Sequence, residues 1–549
     1  MPTRAPLACG ALGNYERDRV RRIAELLGGG SAFAHEDESS ALILDREPLR
    51  WGGDQQRGLG WIEADPRRPP AGLPDWQAAS AAGICGLAFD GRRRFLHSTV
   101  NGLAPLYWLE QGGAVYFASR IDPLVRTSPS RLSIDWDAWA SIVALRYPLG
   151  TSTPFAEIRR LPPSASLRRR AWGRAQVERG RWPWTEVEPD QSLAAGAEAM
   201  VAGLEETLAP LPGEIVCPLS GGRDSRMLFL PLARDGRVAG VATVPDDEGD
   251  THEEDLAEPV AASFGVPQER LRGTMGDYAA EWEERARRVE YEFVDHAWMV
   301  PLAQRLAGTE APVPDGFAID CFISAGRHFY TPETLDTGRP KAAMRALFES
   351  VRRYGHAHLA LEESFQGPLV ERAREQFLSR ARHFDGHPNQ CFLAFYSSRS
   401  LRGVSTYATK LLGDRSWVVA PGAADPFVRA ALSVPGEEKF DGAVYKAIFE
   451  LLSPAVAALP STADVPRKEP HLPQRWCSPA GLELHRSLLR DGPLAPHLSA
   501  GVRAWIDGTG EVEPDRHLRL GIEAVSLLHA WWRQYRDCLR EVDAADLLG

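Results

Sequence analysis

The sequence predicts an α/β protein of two domains: a β-rich N-terminal domain, then a domain with a parallel sheet and a largely helical remainder. Three observations predict this. Residues 1–185 hold short apolar strands separated by Gly or charged turns. After the polar stretch 185–191 the pattern changes to alternating strand and helix. From about Tyr278 onward apolar residues recur at helical spacing, as in 345–352 and 526–535. A chain of 549 residues is too long for one core, and 44% hydrophobic content is that of a globular protein.

Charge and composition exclude several classes. The net charge of −11 argues against general affinity for nucleic acid or anionic membrane. No stretch approaches eighteen uncharged apolar residues, so no membrane span is expected. Met1-Pro-Thr-Arg-Ala-Pro6 is followed by no long apolar run, so a cytoplasmic protein without a secretory signal is expected. The seven cysteines are odd in number, widely spread and without a Cys-x-x-Cys, which points to reduced thiols and no zinc site. His356 and His358 lack further ligand residues nearby and read as ordinary histidines.

The N-terminal strands fall at 83–89, 94–98 and 114–118, each apolar and bounded by turn residues. The basic, Trp-containing stretch 165–182 reads as a solvated hairpin turning at Trp172-Gly173. A helix over 192–208 opens the second domain. Strands follow at 214–219 and 240–244, with one helix between them and another over 253–264.

The most informative segment is the first of these strands and the turn after it. Ile215, Val216 and Leu219 supply the apolar, β-branched strand. Gly221 and Gly222 let backbone approach a ligand closely. Ser220 is the expected cap of a helix running through Met227, Leu228 and Leu230. Free amides and a positive helix end then converge on one spot, which suits phosphate. Asp224 is placed to hold Mg²⁺ against the phosphates. The lysines Lys341, Lys410, Lys439, Lys446 and Lys468 follow no Gly-x-x-x-x-Gly, which excludes a Walker-type loop.

The string Ser220-Gly-Gly-Arg-Asp-Ser225 resembles the pyrophosphate loop of the ATP pyrophosphatase superfamily. With it placed, nearly the whole chain resembles the class B asparagine synthetase family, closest in type to its specialised amide synthetases. The resemblance implies an Ntn-hydrolase-like, glutaminase-like sandwich over 1–185 and an adenine-nucleotide α-hydrolase-like synthetase domain over 192–549. In the first half Gly102-Leu-Ala-Pro-Leu-Tyr107, Phe117-Ala-Ser-Arg-Ile121 and Ile158-Arg-Arg-Leu-Pro-Pro-Ser164 resemble family segments. The family's nucleophile is an N-terminal cysteine; here residue 2 is Pro, and Cys9-Gly-Ala-Leu-Gly13 resembles the family start. The family's Arg-Gly-Pro-Asp and Asn-Gly-Glu segments have no counterpart, and Gly28-Gly-Gly-Ser-Ala-Phe33 does not supply them. The first domain is therefore expected to be a degenerate, structural glutaminase.

In the second half, the segment 315–326 resembles the family's Gly-x-Gly-x-Asp, with Ala318 for the second Gly. Asp320 falls on the aspartate that faces phosphate and magnesium. Phe317 stands where asparagine synthetases carry a Glu, so proton transfer is expected to be handled differently. Asp425-Pro-Phe-Val428, Lys446-Ala-Ile-Phe449 and Pro466-Arg-Lys-Glu-Pro470 resemble the family's C-terminal segments. The resemblance implies Lys468 as the lysine that stabilises charge on the α-phosphate, with Lys446 a second candidate. The expected nucleotide set is Leu219, Ser220, Gly221, Gly222, Asp224, Ser225 and Val244. The expected metal ligands are Asp224 and Asp320. Glu290 and His296 are candidates to line the acceptor pocket, with the polar face of a helix the preferred reading, and Arg223 and Arg226 are left open between phosphate and an acidic substrate.

The activity implied is ATP-dependent amide-bond formation: a substrate carboxylate is adenylated with release of pyrophosphate, then coupled to a substrate amine. The cofactors are ATP and Mg²⁺. The partner is a small-molecule or peptide substrate, such as a precursor peptide closed into a lasso macrolactam alongside a peptidase. Amidation with free ammonia and a non-catalytic scaffold are the alternatives.

Overall fold

The structure is a computed structural model that describes the chain outside residues 1–3, 29–30, 54–55, 63–71, 92, 170–173, 325–329, 354, 510–513 and 548–549. The hairpin tip expected at Trp172-Gly173, Gly29-Gly30, and the end of the 315–326 segment lie outside the described residues.

The first domain is two six-stranded antiparallel sheets. Its strands are β1 Ala8–Gly13, β2 Phe33–Glu36, β3 Ser40–Leu44, β4 Leu49–Gly52, β5 Gln56–Ile62, β6 Ile84–Asp90, β7 Arg93–His97, β8 Tyr107–Gln111, β9 Ala114–Ala118, β10 Ile158–Arg160, β11 Ala165–Arg169 and β12 Ala175–Arg179. The orders are β10-β8-β9-β1-β3-β2 and β12-β11-β7-β6-β5-β4. Period-two alternation builds the sandwich. Ala8 and Leu12 of β1 join Leu42, Leu44, Leu87, Leu96, Phe117 and Leu167 in one apolar cluster between the sheets. Cys9 and Ala11 face the other way, toward Val20 and Ile23 of the helix Arg17–Leu27.

The second domain opens with the helix Leu193–Leu208, whose first turn is capped by Ser192. Strands β13 Ile215–Pro218, β14 Val238–Thr243 and β15 Gln268–Arg270 form a parallel sheet in that order. The helices Arg223–Arg234 and His252–Ala262 connect them. A parallel pair, β16 Val313–Pro314 and β17 Val418–Val419, continues beside β13. The remainder is largely helical, with two π-helical segments, Tyr396–Val404 and Tyr407–Leu412. Among the described residues no helix is long and apolar enough to cross a membrane.

The expected polar linker is tied down at both ends. Trp184 is fully buried, donates from Nε1 to Asp425 Oδ1 at 2.8 Å, and packs edge-on against Tyr396. The Gln191 amide donates to the Ser433 carbonyl. A buried ion network joins the domains. Lys410 Nζ lies 2.6 Å from Glu290 Oε2 and 2.9 Å from Glu292 Oε2, and Glu292 Oε1 lies 2.8 Å from Arg402. From the first domain, Tyr107 donates to Glu292 and the Asp122 amide donates to Glu290. Glu290, expected on an ordinary polar helix face, is therefore an interdomain anchor. Burial opposes the Lys410 charge, but the two carboxylates outweigh it and raise its pKa. Burial likewise opposes the Glu292 charge, but Lys410 and Arg402 outweigh it and lower its pKa to about 2.

Two outcomes follow from this network. Lys410→Met removes the one cation that bridges both carboxylates, leaving them to Arg402, Arg160 and Arg120, and is expected to cost about 3–5 kcal/mol in denaturant unfolding. Because the folded pKa of Glu292 is depressed, its stabilisation is present above its ordinary value of 4.5 and is lost as pH falls toward about 2. Glu292→Gln should flatten the acid limb of a pH–stability curve in that window.

Candidate active site

The Ser220–Ser225 turn sits at the C-terminal end of β13, where parallel sheets present ligand sites. The Leu219 amide donates to the Ala242 carbonyl, which ties the turn to β14. The helix begins at Arg223 with Gly222 as its cap residue, so Ser220 does not cap it, contrary to expectation. Ser220 lies two residues before that cap position: its Oγ accepts from the Gly222 amide at 3.1 Å and meets Ser225 Oγ at 3.0 Å. Ser225 Oγ in turn accepts from the Ser220 amide. The Gly221 amide donates to Glu253 Oε2 at 2.8 Å, so a carboxylate already sits on the turn. Burial raises the pKa of Glu253 even though that amide opposes it. A Cβ on Gly221 would lie 2.9 Å from both Leu256 and Thr462, so the turn is sandwiched between the helix 252–262 and the 460s segment.

The two arginines of the motif hold the protein together. Arg226 is buried under the turn and donates to the carbonyls of Gly221, Leu256, Leu459 and Pro460. Arg223 pairs with Asp464 at 2.6 Å and donates to Ser461.

Asp224 is the electrostatic centre of the site. Burial and the neighbouring Asp320 push its carboxyl well above the usual carboxylate range; Asp315 adds to this, while Tyr445 and Arg223 oppose it. Tyr445 donates to Asp224 Oδ1 at 2.5 Å. Asp320 is exposed, in the first turn of the short helix Ile319–Ile323. Ala318 before it holds a left-handed φ of 68°, which explains the glycine that the resemblance expects there. Gly316 lies against Asp224: a Cβ there would come within 3.0 Å of Asp224 Cβ. Asp315 accepts from the Phe317 amide at 2.8 Å and from Tyr407 at 3.1 Å, and burial lifts its pKa to about 6. Among the described residues no group of three or more His, Cys, Asp or Glu could hold a metal ion. Mg²⁺ needs only one or two protein carboxylates plus substrate oxygens, and the mutual repulsion of Asp224 and Asp320 suits a cation between them.

The remaining expected residues divide. Leu219 and Val244 end adjacent parallel strands with buried side chains, so they offer backbone and not side chain to a ligand. Lys468 is exposed and paired with Asp255 at 2.6 Å, not with the carboxylate pair. Lys446 is exposed, and no hydrogen bond or ion pair engages it among the described residues. Its helix, Ala443–Leu452, turns the preceding Tyr445 inward instead. Phe317 is buried. Cys9 is buried in β1, and burial pushes its thiol up to about 12.

A cavity of about 300 Å³ is lined in part by Asp246, Asp247, His296, Trp476, Arg519 and Glu523. His296 therefore lines a pocket, the alternative to the polar helix face preferred from the sequence. Its ring packs 5.0 Å from Tyr407, which bonds Asp315, and this connects the cavity to the carboxylates. Burial lowers the His296 pKa to about 4 and raises that of Glu523 to about 7.

Sequence reasoning missed Tyr445, Glu253, Tyr407 and Asp315. Tyr445 follows helical spacing with Val444, Ile448 and Phe449 and so reads as core. Glu253 lies in an acidic run, Glu253-Glu-Asp255, that gives no hint of which carboxylate turns inward.

No family model matches the sequence, and no curated protein matches it. Among solved structures, the chain is similar to a glutamine phosphoribosylpyrophosphate amidotransferase from B. subtilis complexed with ADP and GMP. The identity is 10%, over 63% of this chain and 92% of that one, with a TM-score of 0.21. A likeness at that level says nothing of site or activity.

The Asp224 carboxylate costs stability once pH exceeds its unfolded value of 3.8, because its folded pKa is raised. Asp224→Asn keeps an acceptor for Tyr445 and removes the repulsion. It is expected to stabilise the chelator-treated protein at neutral pH by about 1–2 kcal/mol, read by thermal unfolding.

Proposed function

We propose that this chain is an ATP-dependent carbon–nitrogen ligase of the class B asparagine synthetase type. It adenylates a substrate carboxylate, releases pyrophosphate, and couples the acyl group to a substrate amine with loss of AMP. The observation that carries this reading is the pairing of Asp224 with Asp320 at the mouth of the Ser220–Ser225 turn. The second domain is read as adenine-nucleotide α-hydrolase-like, and the first as an Ntn-hydrolase-like remnant. The buried, strongly protonated Cys9 thiol and the apolar Phe317 favour an amine that belongs to the substrate over free ammonia. Closure of a macrolactam on a ribosomal peptide, in a cytoplasmic biosynthetic route, is the leading case.

In this reading the Gly221 and Gly222 amides and the Ser220 and Ser225 hydroxyls hold the pyrophosphate, once Glu253 has moved off Gly221. Mg²⁺, held by Asp224 and Asp320, would supply neutralising charge to the phosphate oxygens. Lys468 exchanges Asp255 for the α-phosphate and stabilises charge there. The Leu219 and Val244 backbone edges border the adenine. The cavity at His296 and Glu523 receives the acid and the amine, and Glu523, with its pKa near 7, is the group there best matched to accept the amine proton.

One observation favours the scaffold reading: Glu253 and Tyr445 already satisfy groups that a bound nucleotide would use. Isotopic ATP–pyrophosphate exchange with Mg²⁺ separates the two. Exchange dependent on a peptide bearing an Asp or Glu side chain, and reduced at least about 100-fold by Asp224→Ala, is the expected result. Exchange with aspartate alone would move the reading to ammonia-type amidation. Absence of exchange with every acid, in both the wild type and Glu253→Ala, would favour the scaffold.

A further inference from the structure

A second cavity, of about 700 Å³, lies between the domains, away from the Ser220 turn. Its lining carries the guanidinium groups of Arg160, Arg179, Arg380, Arg382 and Arg402 and the ring of His383, with no Asp or Glu among the described residues. In a chain of net charge −11 this concentration runs against the composition.

The depth of the cavity is set by buried guanidinium groups. Arg402 is 1% and Arg160 3% exposed. Arg402 spends Nη2 on the Ser152 carbonyl and Glu292, while its Nε and Nη1 are buried with no partner among the described residues. Arg380 donates through Nη2 to Ser152 Oγ at 3.3 Å, and its Nε is likewise buried without a partner among the described residues. Gly150, at φ +57°, makes room for this group: a Cβ there would stand 2.2 Å from Arg380 Nη1. Burial lowers the Arg380 pKa, and Arg402 lowers it further. The carboxylates closest to these charges are already engaged, Glu292 by Lys410 and Asp135 by Arg159. Arg179, Arg382 and His383 form an exposed rim. Trp182, Phe377 and Phe384 give the cavity an apolar wall.

Unsatisfied buried N–H donors are expensive, and planar guanidinium forks match the oxygens of phosphate and carboxylate. The volume is that of a small-molecule site. We propose that this interdomain cavity binds a small organic dianion, a phosphate ester or dicarboxylate with a flat apolar body, whose charge meets Arg380 and Arg402 and whose body lies against Trp182 and Phe384.

Phenyl phosphate is the probe. It is titrated into the full-length chain at low salt and followed by calorimetry and tryptophan fluorescence, with phenol as the uncharged control. The expected result is saturable binding of phenyl phosphate and none of phenol, weakened about ten-fold by Arg380→Gln. Arg382→Gln, at the exposed rim, guards against a folding defect and should also weaken binding. Binding at the Ser220 turn would survive both substitutions. No saturable binding, equal affinity for phenol, or affinity unchanged in both variants would overturn the proposal.

Discussion

The second domain is organised around two carboxylates that repel each other. Asp224 and Asp320 arrive from different segments, one after β13 and one after β16, and their repulsion raises the Asp224 pKa although Tyr445 and Arg223 oppose it. Such a pair is costly to hold together, so the surroundings must impose it. Gly316 lets one segment lie directly against Asp224. Ala318 accepts a left-handed backbone to turn the helix bearing Asp320 toward it. Tyr445 holds Asp224 from a third segment. Three separate chain segments thus converge on one site of negative charge, which the proposed function fills with a cation and phosphate oxygens.

The turn above that pair is rigid and closed at the same time. Arg226 gathers four carbonyls beneath it, and Ser220 and Ser225 hold each other across it. Glu253 occupies the Gly221 amide, and Lys468 is held at Asp255 two residues further along the same helix. Both contacts belong to the helix 252–262. A single displacement at the start of that helix would free the amide and the lysine together; under the proposed function this couples phosphate entry to the arrival of positive charge.

Much of this was legible in the sequence where local chemistry decides the outcome. The strand, the Gly-Gly turn and the helix start after it depend on neighbours within ten residues, and Asp224 follows from them. Ser220 reads as a cap but is not one, because two residues, Gly221 and Gly222, separate it from the helix, a difference too small for pattern reading. The rest depends on distance in the chain. Tyr445 reads as core until its hydroxyl is seen on Asp224, 221 residues away. Glu290 and Lys410, a polar helix face and an unremarked lysine in the sequence, become an ion pair only when two π-helical turns bring Lys410 inward. Lys446 shows the reverse: the motif was in place, but the helix phase turns its side chain to solvent.

The most direct test of the account is calorimetric titration of pyrophosphate into the ligand-free chain, with and without Mg²⁺, for the wild type and Asp224→Asn. If Asp224 and Asp320 form a cation site beneath a phosphate-binding turn, binding requires Mg²⁺ and is lost in the variant. Binding that ignores Mg²⁺, or that the variant retains at full strength, would contradict it.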